Sequence, residues 1–528
     1  MSTSTRFASV VRTGPSAFLA RSAAPALALC LALPAGLAAQ EAEPREAAGP
    51  DGAAEIGSAI RTPDELARRL DRLLADPALT RAHVGLTIQV AETGEVLYER
   101  AGEKRFTPAS NTKLVTGAVA IDVLGPDFRW TTRLVADGPI DGGALDGDLW
   151  IVGGGDPSLS RDALAGWTDE LRAAGIRRVT GDVIADDRVF EEPQWGEGWM
   201  WDDLFGGWST GVTGLQLSPN TVRAAVAPGA RLGDSTTIAY RGEGPRLPIA
   251  NRVLTGAPGS DVRLRFVPPA EGGPVELRGW VPLGPDSTSL YLATPHATLY
   301  VLDWLRLRFA EAGIAVGGEF RRARGDEQPA RESWSFETRS EPLADILADM
   351  LKPSDNQMAE SILRTIAVAE GRPGWPAEGI DVVSSTLAGW GIDPGAVNLS
   401  DGSGLSRYNE ITPNALARLL RAMWRHEHYA AFLAALPTAG VDGTMRRRLV
   451  ATPGADNVRA KTGSLSAVRG LSGYLLDGSG ETLLFSLLLN GYDSPGSVAV
   501  ALEDLLIEQV ALYRRPVEPG WPRLRRVP

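Results

Sequence analysis

The spacing of apolar positions changes several times along the chain. In "TPDELARRLDRLLAD" they recur every three or four residues, predicting an amphipathic helix. Thr62 and Glu65 form a capping-box pattern at its start, and Pro63 suits the first helical position. The period falls to two in "VGLTIQVAETGEVLYER", which turns at Thr93-Gly94 and predicts a β-hairpin. A helix follows in "TPASNTKLVTGAVAIDVLG", from near Pro108 to Gly125-Pro126. From about Arg129 to Ser289 short strand-like runs alternate with Gly and Pro, and only "RDALAGWTDELRAAG" keeps a helical period. This predicts an inserted, mostly β module. Trp195, Trp199, Trp201 and Trp208 crowd one part of it without basic residues among them, which favours a local packing cluster over a stacking platform.

Helical spacing returns in "ATLYVLDWLRLRFAEAG", in "EPLADILADML" up to Lys352-Pro353, and in "NQMAESILRTIAVAE". The chain ends in two strand patterns, "VRAKTGSLSAVRGLSGYLL" and "ETLLFSLLLNGY", and a helix, "SVAVALEDLLIEQVALYR". The predicted organisation is one discontinuous domain from residues 61–128 and 290–513, interrupted by an insertion at 129–289. Residues 40–60 read as a linker and 514–528 as a basic tail, whose Arg are a solvated end or a peripheral contact with anionic lipid.

Composition adds a compartment. Arg6, Arg12 and Arg21 precede the apolar run "PALALCLALPAGLAA", which is short for a membrane span and ends in small residues. Residues 1–39 thus read as a secretory signal, and the expected location is secreted, periplasmic in a Gram-negative host. Losing three Arg and no acid takes the net charge from −12 to about −15. Cys30, the only cysteine, leaves with the signal, and Leu29 before it argues against lipid attachment, so neither disulfide nor thiol chemistry is expected. No later segment reads as a transmembrane span. The acidic balance excludes a nucleic-acid partner.

Only four His are present, His83, His296, His426 and His428, and "HEH" at 426–428 reads as a charged helix end, so no metal and no cofactor are expected. Lysine is scarcer than its charge partner: of 53 Lys plus Arg only Lys104, Lys113, Lys352 and Lys461 are Lys. Arg stays charged, whereas a buried Lys can release its proton and act as a base. The rare lysines are therefore candidates for chemistry.

Three short motifs bear this out as a set. Ser110-x-x-Lys113 lies at a helix start, Ser354-Asp355-Asn356 in a turn between helices, and Lys461-Thr462-Gly463 on a strand. In that order they form the signature of penicillin-recognising serine enzymes. Acyl transfer needs a nucleophile with an adjacent base. Ser110 is the candidate nucleophile, and Lys113 one turn on is its base, with Lys461 as the neighbouring cation. Ser354 relays a proton to the leaving amine and Asn356 holds a substrate amide. Thr462 and Ser464 suit a carboxylate, and Gly463 lets a substrate backbone lie along the strand. The backbone N–H groups of Ser110 and Ser464 are the candidate oxyanion donors.

With these motifs the sequence resembles the D-alanyl-D-alanine carboxypeptidase/endopeptidases among the low-molecular-mass class C penicillin-binding proteins. The resemblance covers roughly residues 60–512 and extends to "LGPDFRWTTRL", "GGGDPSL", "GDVIADDRVF", "SDGSGLSRYNEITP" and "LPTAGVDGT". The 244 residues from Ser110 to Ser354 match the family's inserted domains and exceed the gap of a class A β-lactamase. The resemblance implies a multi-domain α/β fold, with a transpeptidase-like domain whose antiparallel sheet is flanked by helices. It implies peptidoglycan stem peptides as substrates and β-lactams as inhibitors. It also implies a stem side-chain pocket from Arg407 of "GSGLSR", with Asp186 and Phe190 of "VIADDRVF". Ser466 stands where some relatives have a longer side chain, which bears on that pocket. The alternatives are a β-lactamase or esterase on the same apparatus, separated by penicillin turnover without D-Ala release, and a non-catalytic wall-binding protein, against which the intact motifs stand.

Overall fold

The computed structural model describes residues 60–267 and 273–515. The signal peptide, nearly all of the linker and the tail beyond Arg515 lie outside the described residues.

A five-stranded antiparallel sheet joins the two ends of the chain. Helix α1 (Pro63–Leu74) leads to strands β1 (His83–Val90) and β2 (Val96–Arg100), and the nucleophile turn leads to helix α2 (Thr112–Leu124). After the insertion come helices α5 (Leu343–Leu351) to α9 (Tyr429–Ala435), strands β14 (Arg459–Leu465), β15 (Val468–Leu476) and β16 (Thr482–Asn490), and helix α10 (Gly496–Leu512). The sheet order is β2-β1-β16-β15-β14. Alternation divides β1 between two cores. Leu86, Ile88 and Val90 face α1 and α10, while Thr87 donates to Asn414 Oδ1 at 2.6 Å on the other side. Helix α2 is apolar nearly all round because it is packed on every side by α5, α6 (Asn356–Ala369), α7 (Pro376–Gly389) and α8 (Pro413–Arg425).

The insertion holds two further layers. Strands β3 (Thr131–Asp137), β4 (Asp148–Val152), β5 (Val183–Asp186), β12 (Phe320–Arg322) and β13 (Glu332–Arg339) form one mixed sheet, covered by α3 (Arg161–Ala173) and α4 (Ala297–Ala312). Two three-stranded sheets face each other as a small sandwich. One is β7-β6-β11, from β6 (Thr221–Ala227), β7 (Thr237–Tyr240) and β11 (Thr288–Ala293). The other is β8-β10-β9, from β8 (Ile249–Gly256), β9 (Arg263–Val267) and β10 (Val275–Pro282).

The expected boundary at residue 290 moves. Helix α4 packs in the core of the insertion through Val301, Leu305 and Phe309, and β13 pairs with β3 from Glu332 to Arg339. The excursion therefore closes at Ser340, whose backbone N–H donates to Trp130 O at 3.0 Å while its Oγ accepts from Trp130 N at 3.0 Å. Helical spacing identifies α4 as a helix but carries no mark of the core that receives it.

No helix among the described residues is long and apolar enough to cross a membrane, and among them no cluster of three or more His, Cys, Asp or Glu forms a metal site. His426 lies at the end of α8 with Nε2 3.0 Å from Asp122 Oδ1, the helix-end role expected for "HEH".

Candidate active site

The three motifs meet. Ser110 sits in a short 3₁₀ turn, Ala109–Asn111, that runs into α2, and Ala109 before it has φ 47°, left-handed backbone held under strain. Lys113 one turn later is fully buried, and its Nζ reaches Ser110 Oγ at 3.1 Å, Asn356 Oδ1 at 2.5 Å and Ser403 O at 2.6 Å. Burial pushes its amine down to about 8, although the charges of Asp401, Asp355 and Glu360 pull it up. Such an amine is partly neutral near neutral pH and stands at hydrogen-bond distance from the hydroxyl it would deprotonate.

Lys461 enters from β14, buried beside Lys113. Its Nζ donates to Ser354 Oγ at 2.9 Å and to Thr462 O at 2.9 Å. Burial and then the charge of Lys113 push it well below the usual lysine range. Lys461 is therefore not a simple standing cation: both lysines share the penalty of burial, and an anionic ligand beside Lys461 would favour its charge. The other two lysines are ordinary by contrast: Lys352 pairs with Asp442 at 2.7 Å and Lys104 is exposed.

Ser354 holds φ 70°, a conformation a serine keeps only where its surroundings impose it. Asp355 caps α6, accepting from Met358 N at 2.8 Å, and so fixes Asn356 at the first helical position. Asn356 bridges two domains: its Oδ1 takes the Lys113 proton donor and its Nδ2 donates to Trp208 O at 2.7 Å. One amide hydrogen expected for substrate is thus engaged within the protein.

Strand β14 is the edge of its sheet, so it offers backbone groups to the cleft. Gly463 is there for space: a Cβ would stand 2.6 Å from Pro108 O and 2.7 Å from Asn111 Nδ2, in the nucleophile turn. Thr462 Oγ1 donates to Thr444 Oγ1 at 2.8 Å, and Ser464 Oγ accepts from Arg469 across the strand pair.

Two residues expected in that pocket have partners of their own. Asp186 is held by Arg188, with Nε at 2.7 Å from Oδ1 and Nη2 at 2.7 Å from Oδ2. Phe190 is buried against Gly155 and beneath the Arg364 guanidinium, a packing joint. Arg407 is exposed and donates to Ser466 O at 3.2 Å. The acid that feels its charge is Asp203. Burial pushes the Asp203 carboxyl up, while the Trp208 indole N–H at 3.2 Å and the Arg407 charge draw it back.

The tryptophan-rich segment is therefore no isolated packing cluster. Trp199 donates to Asp401 Oδ2 at 2.9 Å and Trp208 meets Asn356, so residues 199–208 lie across the catalytic groups. Two further contributors lacked a motif of their own. Asp401 accepts from Gly404 N at 2.7 Å and Ser406 N at 2.7 Å, and Glu360 accepts from Gly402 N at 3.0 Å and Ser403 N at 2.9 Å. Together they fold loop 400–406 so that Ser403 O meets Lys113. The Gly pair in "SDGSGLSR" is the sequence trace of this loop: Gly404 has φ 83°, and a Cβ there would collide with Ala109 O.

Residues 66–504 match the D-Ala-D-Ala carboxypeptidase 3 (S13) family. The D-alanyl-D-alanine carboxypeptidase of Actinomadura sp. (strain R39) is 31% identical over 477 residues, 88% of either chain. The D-alanyl-D-alanine carboxypeptidase DacB of Haemophilus influenzae is 28% identical over 416 residues, 78% of this chain and 86% of that one. The crystal structure of penicillin binding protein 4 (dacB) from Haemophilus influenzae superposes with a TM-score of 0.77 at 28% identity, covering 84% of this chain and 99% of that chain. The same protein complexed with a β-lactam gives 0.72 at 26% identity, with the same coverage.

Proposed function

The chain belongs to the D-Ala-D-Ala carboxypeptidase 3 (S13) family of serine peptidases, and on that premise we propose that it cleaves peptidoglycan stem peptides through an acyl-enzyme on Ser110. The observation that carries the reading is the buried Lys113 amine, 3.1 Å from Ser110 Oγ and lowered to about 8. Neutral Lys113 takes the Ser110 proton as Oγ adds to the carbonyl of the penultimate D-Ala. The oxyanion that forms is held by the N–H groups of Ser110 and Ser464. As the C–N bond breaks, Ser354, supported by Lys461, passes a proton to the leaving amine. That amine is D-Ala in carboxypeptidase action and a cross-linked stem in endopeptidase action. Lys113 reprotonates Ser354 as the amine leaves, and in hydrolysis the neutral Lys113 takes a proton from the attacking water and gives it to Ser110 Oγ as the ester C–O bond breaks.

Asp203, Arg407 and Trp208 form the side-chain pocket. An acid and a guanidinium whose charges act on one another suit the ammonium and carboxylate at the free end of a diamino acid. The sequence upstream of the described residues supports export and action outside the cytoplasm. That a β-lactam occupies the Haemophilus influenzae relative supports inhibition of this chain by penicillins.

The test is mass spectrometry of a penicillin adduct together with D-Ala release from a pentapeptide and cleavage of cross-linked muropeptides. An adduct on Ser110 with D-Ala release is expected. An adduct on any other residue, or neither cleavage, overturns the reading.

A further inference from the structure

A basic cup in the insertion plays no part in the catalysis above. It lies where the helices of the mixed sheet meet the sandwich, under the turn that leaves β7, and encloses about 270 Å³. Arg161, Arg223, Arg241, Arg246 and Arg308 line it, against the acids Asp162 and Glu243. Five cations against two anions is a local excess of three positive charges in a chain of net charge −12. Arg308 is shared with Glu311 at 2.7 Å and Glu243 at 3.7 Å. The other four form no ion pair among the described residues.

Arg223, Arg241 and Arg246 are exposed at the rim, whereas Arg161 and Arg308 are half-buried at the base. The floor is Trp304, 3% exposed, with the Arg161 and Arg308 guanidinium carbons 5.5 and 5.1 Å from its ring centroid. The indole N–H of Trp304 and the Nε groups of Arg161 and Arg308 are buried with no hydrogen-bond partner among the described residues. Leaving a buried donor unsatisfied is costly, so three on one cup form a site that an acceptor relieves. The turn is shaped for the same floor: Gly244 has φ 112°, and a Cβ there would stand 2.1 Å from the Trp304 ring. Arg246 is steadied over Tyr240 at 5.5 Å.

We propose that this cup binds a phosphate group. Guanidinium forks match phosphate oxygens in pairs. A phosphate also presents more acceptor oxygens than a carboxylate, which five guanidinium groups and an indole N–H would saturate. Trp304 and Tyr300 are 3% and 5% exposed, so neither offers a ring face for a sugar to stack on. Inorganic phosphate and the phosphodiesters of an envelope polymer share this chemistry.

The test is calorimetric titration of the mature chain with inorganic phosphate, poly(glycerol phosphate) and polyglutamate. Phosphate ligands are expected to bind. The exposed pair Arg241→Ala/Arg246→Ala is expected to lower their affinity at least tenfold, and Arg278→Ala, on the other sheet of the sandwich, to leave it unchanged. Penicillin acylation of Ser110 proceeds at the same rate in every variant. Tighter binding of the polymer per phosphate assigns the site to a polymer, and equal binding assigns it to free phosphate. No binding of either, an equal loss in Arg278→Ala, or polyglutamate binding as tightly as the phosphate polymer overturns the proposal.

Discussion

Lys113 makes its role testable by pH. The neutral amine is the base, so penicillin acylation should rise with pH through an inflection near 8 and level off above it. Lys113→Arg removes the titration altogether, because Arg stays protonated; acylation should fall by about 10²–10⁴ and lose the inflection. Stability carries an imprint of the same burial. Between about 8 and 10.5 the unfolded chain binds the Lys113 proton and the folded chain does not, so this group's contribution to stability rises with pH across that window. A second contrast separates two aspartates. Asp203→Asn should raise KM for stem peptides ending in a diamino acid about tenfold, whereas Asp186→Asn, whose carboxylate serves Arg188, should leave KM unchanged. Steady-state kinetics on peptides with and without the free amino group reads both.

At the scale of elements, the contact between edge strand β14 and the nucleophile turn is the tightest joint of the site. Gly463→Ala must displace both Pro108 O and Asn111 Nδ2 by several tenths of an ångström. The expected outcome is a loss of kcat/KM of about a hundredfold with the rest of the sheet intact, read by acylation rate beside the far-ultraviolet spectrum. Here the limits of the sequence also become physical. Ser110, Lys113, Ser354 and Lys461 were legible because each motif is local and each element that carries it has a clear period. The influence of the Arg407 charge on Asp203 was not, since the two lie 204 residues apart and neither belongs to a repeating pattern. The family resemblance alone pointed to Asp186, and Arg188 two residues on takes its carboxylate. The boundary at Ser340 was hidden for a related reason: α4 has a helix's period whichever core it serves.

The whole molecule is a catalytic domain with an insertion that reaches back over it. The Trp199 indole is one such contact, donating to Asp401 within the loop that positions Lys113. Trp199→Phe keeps the ring and removes the donor. The loss of a hydrogen bond to a charged group, about 1.5–3 kcal/mol, should lower kcat/KM for peptides by an order of magnitude or more. The melting temperature should move only a few degrees, as calorimetry would report. The central sheet has one more consequence, and it concerns time. Strand β1 ends at Val90, and its neighbour β16 begins at Thr482, nearly 400 residues later. At roughly 5–20 residues per second of synthesis, the first strand waits tens of seconds for the one beside it. The insertion meets no such delay, because its layers lie between Trp130 and Ser340. A chain cut short before Thr482 thus holds everything needed to fold its insertion, and lacks the strand that joins the nucleophile's end of the sheet to the edge bearing Lys461.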